Sequence, residues 1–287
     1  MNPSGLDSFF NGIYTQYQKA YFELDPIEFL HNYSNPVDQE IVGFLSAALA
    51  IGRVELFKEA LKLLFEKMTP TPSAYVRAFD PTRNQSDWNG FVYRFFKGPD
   101  IALLIWYLHQ IYQTHPTLEA FFIKGHDASS ETIEKGLTSF VERILSLETA
   151  PISATPPEKG SGIRHFLASP KDGSACKRLN LFLRWMVRKD PLDLGIWNSI
   201  SPSQLIVPLD THIARLSRCL GLTTRKSPGW PMALEITRIL KQIDANDPVK
   251  FDFALCTVGK LNACPKDPNH AACASCPIAP HCLSLEK

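Results

Sequence analysis

Apolar residues recur every three or four positions along most of the chain, the period of an amphipathic helix. Residues 38–68 carry such a run, broken near Gly52 and stopped by Pro70 and Pro72. Residues 100–112 are apolar on nearly every face, which predicts a buried helix capped by Asp100. Another helix is predicted over 130–147, with Ser130 as its N-cap. The Pro-, Ser- and Gly-rich stretch between Leu147 and Ile163 reads as a loop. Helices are also expected over 176–188, 211–220, 230–242 and 248–259. No hairpin signal, internal repeat or low-complexity tract stands out. The pattern predicts an all-α protein of about ten helices.

Composition narrows the class. With 287 residues, 45% of them hydrophobic and 21% charged, the chain is an ordinary globular one, which excludes a disordered protein. No window of eighteen consecutive apolar residues is present, so no membrane-spanning helix is expected. The N-terminus lacks a basic segment followed by an apolar one, so no secretory signal is expected and the cytoplasm is the default compartment. The net charge of +1 hides an asymmetry. Residues 1–160 carry 13 Lys and Arg against 19 Asp and Glu, whereas residues 161–287 carry 17 against 10. A basic C-terminal half suits a polyanion. It also suits a chance fluctuation that folding spreads over one surface.

The cysteines change the picture more. There are seven, and four fall in the last 24 residues as Cys264-x8-Cys273-x2-Cys276-x5-Cys282. An odd, clustered set fits a reducing compartment and a metal site rather than a disulfide scaffold. Four thiolates hold zinc tetrahedrally or a [4Fe-4S] cluster. The single short pair with wide flanking gaps favours the cluster over zinc. His270 and His281 lie close enough in sequence to replace a cysteine, or are simply exposed.

The tail from Leu255 to Cys282 resembles the end of the endonuclease III/MutY branch of the helix-hairpin-helix DNA glycosylases, which closes on C-x6-C-x2-C-x5-C. The segment VPLDTHIARLSRCLGL, 207–222, is similar to that branch's V-D-T-H segment and puts Asp210 on its catalytic aspartate. GSACKRLNLFL, 173–183, is similar to G-V-G-R-K-T-A-N-V-V-L and puts Lys177 on the lysine nucleophile of the bifunctional members. FLSAALAIGR, 44–53, loosely resembles the early helix that ends at a DNA-probing loop. The likeness covers roughly residues 36–287, and the whole pattern looks most like an uncharacterised bacterial family within the superfamily. Two departures stand out. The hairpin L-P-G-V-G reads S-P-K-D-G-S-A at 169–175, and Lys177 and Asp210 are 33 positions apart, wider than in that branch. An archaeal 8-oxoguanine glycosylase group shares both kinds of departure.

The resemblance implies a two-lobed all-α fold. A six-helix lobe would span 36–200, and residues 1–35 with 201–287 would form a cluster lobe. It implies a monomeric base-excision glycosylase with AP lyase activity, acting on double-stranded DNA, with damaged bases, oxidised ones among the candidates, flipped into a pocket. Asp210 would stabilise positive charge at the sugar; alone, it reads equally as the N-cap of the helix that follows. Lys177 would attack C1′ as a free amine, which partial burial or neighbouring cations favour; alone, it reads as a surface lysine. Lys171 is the fallback nucleophile. Phe182, Trp185 and Trp197 are candidate base-stacking aromatics or ordinary core. Cys176 is a pocket residue or a small buried one. His212 would at most orient Asp210, and Arg215 would make structural hydrogen bonds. Gly173, Ser174 and Ala175 would grip phosphate through backbone amides. Arg53 would probe the gap left by the base, and Lys260 and Lys266 would meet phosphates beside the Cys264, Cys273, Cys276 and Cys282 cluster. The alternative is a non-catalytic nucleic-acid-binding protein that keeps the fold and the cluster.

Overall fold

The computed structural model describes residues 3–17, 22–260, 273–274 and 276–285. Helix dominates it, as the periodicity predicts. The α-helices are α1 (Pro3–Tyr17), α2 (Pro36–Leu49), α3 (Val54–Lys67), α4 (Pro72–Ala78), α5 (Pro81–Asn84), α6 (Gly98–Thr114), α7 (Leu118–Ile123), α8 (Glu134–Leu145), α9 (Gly162–Phe166), α10 (Lys177–Val187), α11 (Thr211–Cys219), α12 (Trp230–Ile243) and α13 (Asp252–Lys260). The strands among the described residues are β1 (Val92–Tyr93) and β2 (Phe96–Lys97), a short antiparallel hairpin. The chain is all-α, and no helix among the described residues is long and apolar enough to cross a membrane.

Most helix starts are written locally. Asn35, Thr71, Asp80, Thr117, Ser161 and Asp210 each accept a hydrogen bond from the first turn of the helix that follows. Two expected starts move. Asp100 is not the cap of α6 but its third residue, and its carboxylate accepts from the Lys97 N–H. Ser130 does not cap α8, which begins at Glu134. Asp127 instead folds 127–130 into a turn, accepting from the Ser129 N–H at 2.8 Å.

The described chain groups into two compact units. Neither follows the boundaries expected from the resemblance. One comprises residues 23–172 with 196–199, and the other residues 1–22, 173–195 and 200–287. Thus α10, expected with residues 36–200, packs in the same unit as α11 and α13.

In the first unit, α2 is buried on almost every face, and of its two buried acidic residues, Asp38 and Glu40, the second is fully committed. Its carboxylate accepts from the Tyr112 hydroxyl, the Leu118 and Glu119 amides that open α7, and the Trp197 indole N–H. Between α2 and α3, Gly52 turns the chain at φ 94°. A Cβ there would lie 2.6 Å from the Arg94 guanidinium.

In the second unit, α10 is amphipathic and nearly all of it is buried. Two buried arginines, Arg184 on it and Arg188 at its C-cap, are wrapped by carboxylates. Arg184 pairs with Asp193 at 3.2 Å and Asp252 at 2.6 Å. Arg188 pairs with Asp193, with Asp190 at 3.1 Å and with Asp247 at 2.8 Å. Buried charges persist where opposite charges and hydrogen bonds offset their burial, and Asp252 Oδ1 is the carboxylate oxygen of this network without a hydrogen-bond partner among the described residues. This network explains the long interval before Asp210. Its first part, through Gly195, is fastened back onto α10, where the Trp185 carbonyl accepts from the Leu194 and Gly195 amides.

Candidate active site

Lys177 is the first residue of α10, and Asp210 is the N-cap of α11. Each belongs to the same compact unit. Their side chains converge across the 33-position interval. Lys177 Nζ lies 3.7 Å from Asp210 Oδ2, with the lysine side chain 38% exposed and the aspartate 11% exposed. Asp210 Oδ1 accepts from the Ile213 N–H at 2.8 Å. Its capping role and its place at the site therefore coexist. Burial pushes the Asp210 carboxyl upward, but Lys177, the Ile213 amide and the charges of His212 and Lys260 outweigh it. The net effect holds Asp210 below the usual carboxylate range, so it is an anion at neutral pH.

Helix α13 forms the other wall. Cys256, outside the four-cysteine tail, donates its thiol to Asp210 Oδ2 at 3.6 Å. Burial pushes the Cys256 thiol up to about 12, and the neighbouring Asp210 charge adds to it. Asp252, one turn earlier, is pushed up to about 6 by burial, against the pull of Arg184. His212 lies against Gly259, and burial lowers its pKa despite Asp210. Its Nδ1 has no hydrogen-bond partner among the described residues, and neither has Arg215 Nε. The structural hydrogen bonding expected of Arg215 is thus not made at that atom.

The turn before α10 is open. Among the described residues, the amides of Gly173, Ser174 and Ala175 donate to no backbone carbonyl. The Gly173 carbonyl instead accepts from the Trp230 N–H at 3.0 Å, which pins the turn to the start of α12. Ser174 Oγ accepts from the Cys176 amide. Cys176 is buried and takes a left-handed conformation at φ 48°, redirecting the chain into α10.

The other expected residues divide. Phe182, Trp185 and Trp197 are core residues, each at most 2% exposed, so none offers a face to a flipped base. Lys171 is exposed and pairs with Glu142 at 2.8 Å, a contact that raises its pKa. Arg53 is exposed at the N-terminus of α3. The hairpin in the same unit carries exposed Val92 and Phe95, with Phe95 stacked on His165 at 4.5 Å. Sequence reasoning missed this hairpin, because a pair of two-residue strands leaves no alternation to read. Lys260 is exposed at the end of α13.

Cys264 and Lys266 lie outside the described residues. Cys273, Cys276 and Cys282 are buried, and their thiols are not linked in disulfides. Among the described residues, no three Cys, His, Asp or Glu side chains converge as a metal-binding group. The described part of the tail therefore does not form a donor set by itself, and no chemical step is assigned to a metal.

No curated protein and no solved structure matches this chain. The model of a family described as a protein of unknown function, DUF2400, matches residues 25–261, which takes in Lys177, Asp210 and Cys256 and stops short of the cysteine tail. The chain belongs to the DUF2400 family.

Proposed function

We propose that the protein is a helix-hairpin-helix-type DNA glycosylase with lyase activity, and that Lys177 and Asp210 carry its chemistry. The observation behind this reading is the 3.7 Å approach of an accessible amine to a buried, anionic carboxylate. Lys177 as the free amine attacks C1′ of the nucleotide while the C1′–N bond breaks. The base leaves with the bonding electrons and takes up the proton that the attacking nitrogen releases. The C1′–O4′ bond of the ring then breaks, its electrons staying on O4′, which solvent protonates, while the nitrogen lone pair forms the C1′=N bond of a protonated Schiff base. Loss of a C2′ proton to solvent then expels the 3′ phosphate by β-elimination. Positive charge develops at the sugar on the way, and Asp210, ionised and held by Ile213, stabilises it electrostatically.

Three features support a DNA partner. The amides of Gly173, Ser174 and Ala175 lack backbone acceptors, which suits a phosphate oxygen. Lys260 adds positive charge close enough to act on Asp210. Arg53 and the exposed Phe95 are further candidate contacts in the first unit. The cluster, as a [4Fe-4S] centre rather than zinc, rests on the spacing of its four cysteines, and its role here is structural.

Sodium borohydride with an abasic-site duplex tests the reading. A covalent protein–DNA adduct that disappears in Lys177→Gln is expected. An adduct that survives Lys177→Gln but not Lys171→Gln moves the nucleophile to Lys171. No adduct with any lesion duplex, with DNA still bound, replaces the enzyme by a nucleic-acid-binding protein.

A further inference from the structure

One face of α13 presents three residues to the site at positions i, i+4 and i+7, the spacing that stacks side chains along one helical stripe. Asp252 is held by Arg184, which lies two turns beyond Lys177 on α10. Cys256 meets Asp210. Gly259 meets His212, two residues after Asp210. The first contact ties α13 to the helix that carries the amine. The other two tie it to the start of the helix that carries the carboxylate.

The two oxygens of Asp210 are unequal within this frame. Oδ1 is occupied by the Ile213 amide, which fixes the oxygen but leaves the carboxylate plane able to turn about that bond. Oδ2 faces both Lys177 Nζ at 3.7 Å and Cys256 Sγ at 3.6 Å. A thiol is a weak donor, so it orients a carboxylate while drawing off little of its charge. The Cys256 thiol keeps its proton throughout the physiological range, because burial and the adjacent anion both oppose thiolate formation. It is therefore a permanent donor and not a nucleophile.

We infer that Cys256 is a positioning residue, whose S–H···Oδ2 hydrogen bond sets the plane of the Asp210 carboxylate toward Lys177. The hydrogen bond stands on geometry alone, whereas its consequence for rate rests on the proposed glycosylase–lyase reading.

The test has a spectroscopic arm and a kinetic arm. Infrared difference spectra between wild type and Cys256→Ala isolate the S–H stretch of Cys256 from those of the other cysteines. The band is expected at the lowered frequency of a thiol bonded to a carboxylate, and to rise in Asp210→Asn, where the acceptor loses its charge. A band already at the free-thiol position, or one unmoved by Asp210→Asn, overturns the inference whatever the activity. In single-turnover borohydride trapping on an abasic duplex, Cys256→Ala is expected to slow the reaction about three- to tenfold, the size of one modest hydrogen bond, with DNA affinity unchanged. Cys256→Ser, which keeps a donor and nearly the same volume, is expected to restore most of the rate. It also guards against a folding defect in the alanine variant. Cys256→Ala trapping at the wild-type rate overturns the positioning role even if the band shifts. If wild type traps nothing, the glycosylase–lyase reading fails, and the thiol band alone decides whether Cys256 holds Asp210.

Discussion

Gly259 approaches His212 so closely that a Cβ on the glycine would stand 2.8 Å from the histidine Cβ and 3.0 Å from its Nδ1. Glycine inside a helix normally costs about 1 kcal/mol relative to alanine, so Gly259→Ala would stabilise an isolated α13. Here the close approach of α11 and α13 decides the sign. Gly259→Ala is expected to destabilise the protein by about 1–3 kcal/mol in urea unfolding, the usual range for overpacking. Gly259→Ala combined with His212→Gly, which removes the facing Cβ, should recover most of that loss. Equal stabilities of the single and double variants would show that the crowding lies elsewhere.

Asp210 and Lys177 should separate binding from chemistry. Asp210→Asn keeps a side chain able to cap α11, so the fold and DNA affinity are expected to persist. Base excision should fall on the order of 10²–10³-fold, as when one preorganised electrostatic group is removed. The pH dependence has a definite sign. Because the Asp210 pKa is lowered from its ordinary 3.8, the stability it contributes is complete above that value and is lost as pH falls through the lower, folded-state pKa. The stability gap between wild type and Asp210→Asn should be constant from neutral pH down to about 4 and shrink only below it. A gap that closes between pH 7 and 5 would contradict an anionic, stabilised Asp210.

Asp252 should behave in the opposite sense. Its pKa is raised from 3.8 to about 6, so the folded protein holds a proton there that the unfolded chain has released. Relative to Asp252→Asn, wild type should lose stability as pH rises from about 4 through about 6, then level off. Denaturant midpoints of both proteins across this range provide the check. A wild-type advantage that grows with pH would show that Arg184 dominates and Asp252 is ionised throughout.

Glu40 collects four donors, from Tyr112, Leu118, Glu119 and Trp197. Glu40→Ala strands all four in the core. A loss on the order of 3–5 kcal/mol is expected, since a buried donor left unpaired costs about 1–3 kcal/mol and neighbouring losses are only partly additive. Trp197→Phe removes one donor and should cost far less. The fluorescence difference between Glu40→Ala and Glu40→Ala combined with Trp197→Phe isolates the Trp197 indole from the other four and should show whether the segment 196–199 stays docked.

The cysteine tail predicts a visible chromophore. Protein purified without oxygen should be yellow-brown, with about four irons per chain for a [4Fe-4S] centre. Cys264→Ser should bleach the colour and lower the yield of folded protein. A colourless protein carrying stoichiometric zinc would replace iron by zinc, and one carrying neither would remove the metal altogether.

How far the sequence carries depends on what each feature requires. Helices α10, α11 and α12 match their predicted spans to within a residue or two, because each repeats apolar positions over at least two turns. The short helices α4, α5, α7 and α9 run seven residues or fewer and show too little of a period to be read. The start of α8 was misplaced because Ser130 and Asp127 are both good local hydrogen-bonding residues, and the turn took the aspartate. At the site, Lys177 and Asp210 were legible from the motifs around them. Cys256 was not, since its partner lies 46 positions away and nothing in the spacing of α13 marks a thiol facing a carboxylate.

The division of the chain also sets an order of events during synthesis. The unit built on 23–172 is almost continuous, lacking only 196–199, so most of it is complete while about two-fifths of the sequence is still inside or behind the ribosome. Until Trp197 emerges, Glu40 is missing one of its four partners. The unit that carries Lys177 and Asp210 has no such early start, because it joins the first residues of the chain to α13 and the tail. A nascent chain stalled between α11 and α13 holds the amine and the carboxylate but lacks Cys256, Gly259 and the Asp252 partner of Arg184. The site therefore comes into being only after α13 has emerged, long after the helix that carries the amine.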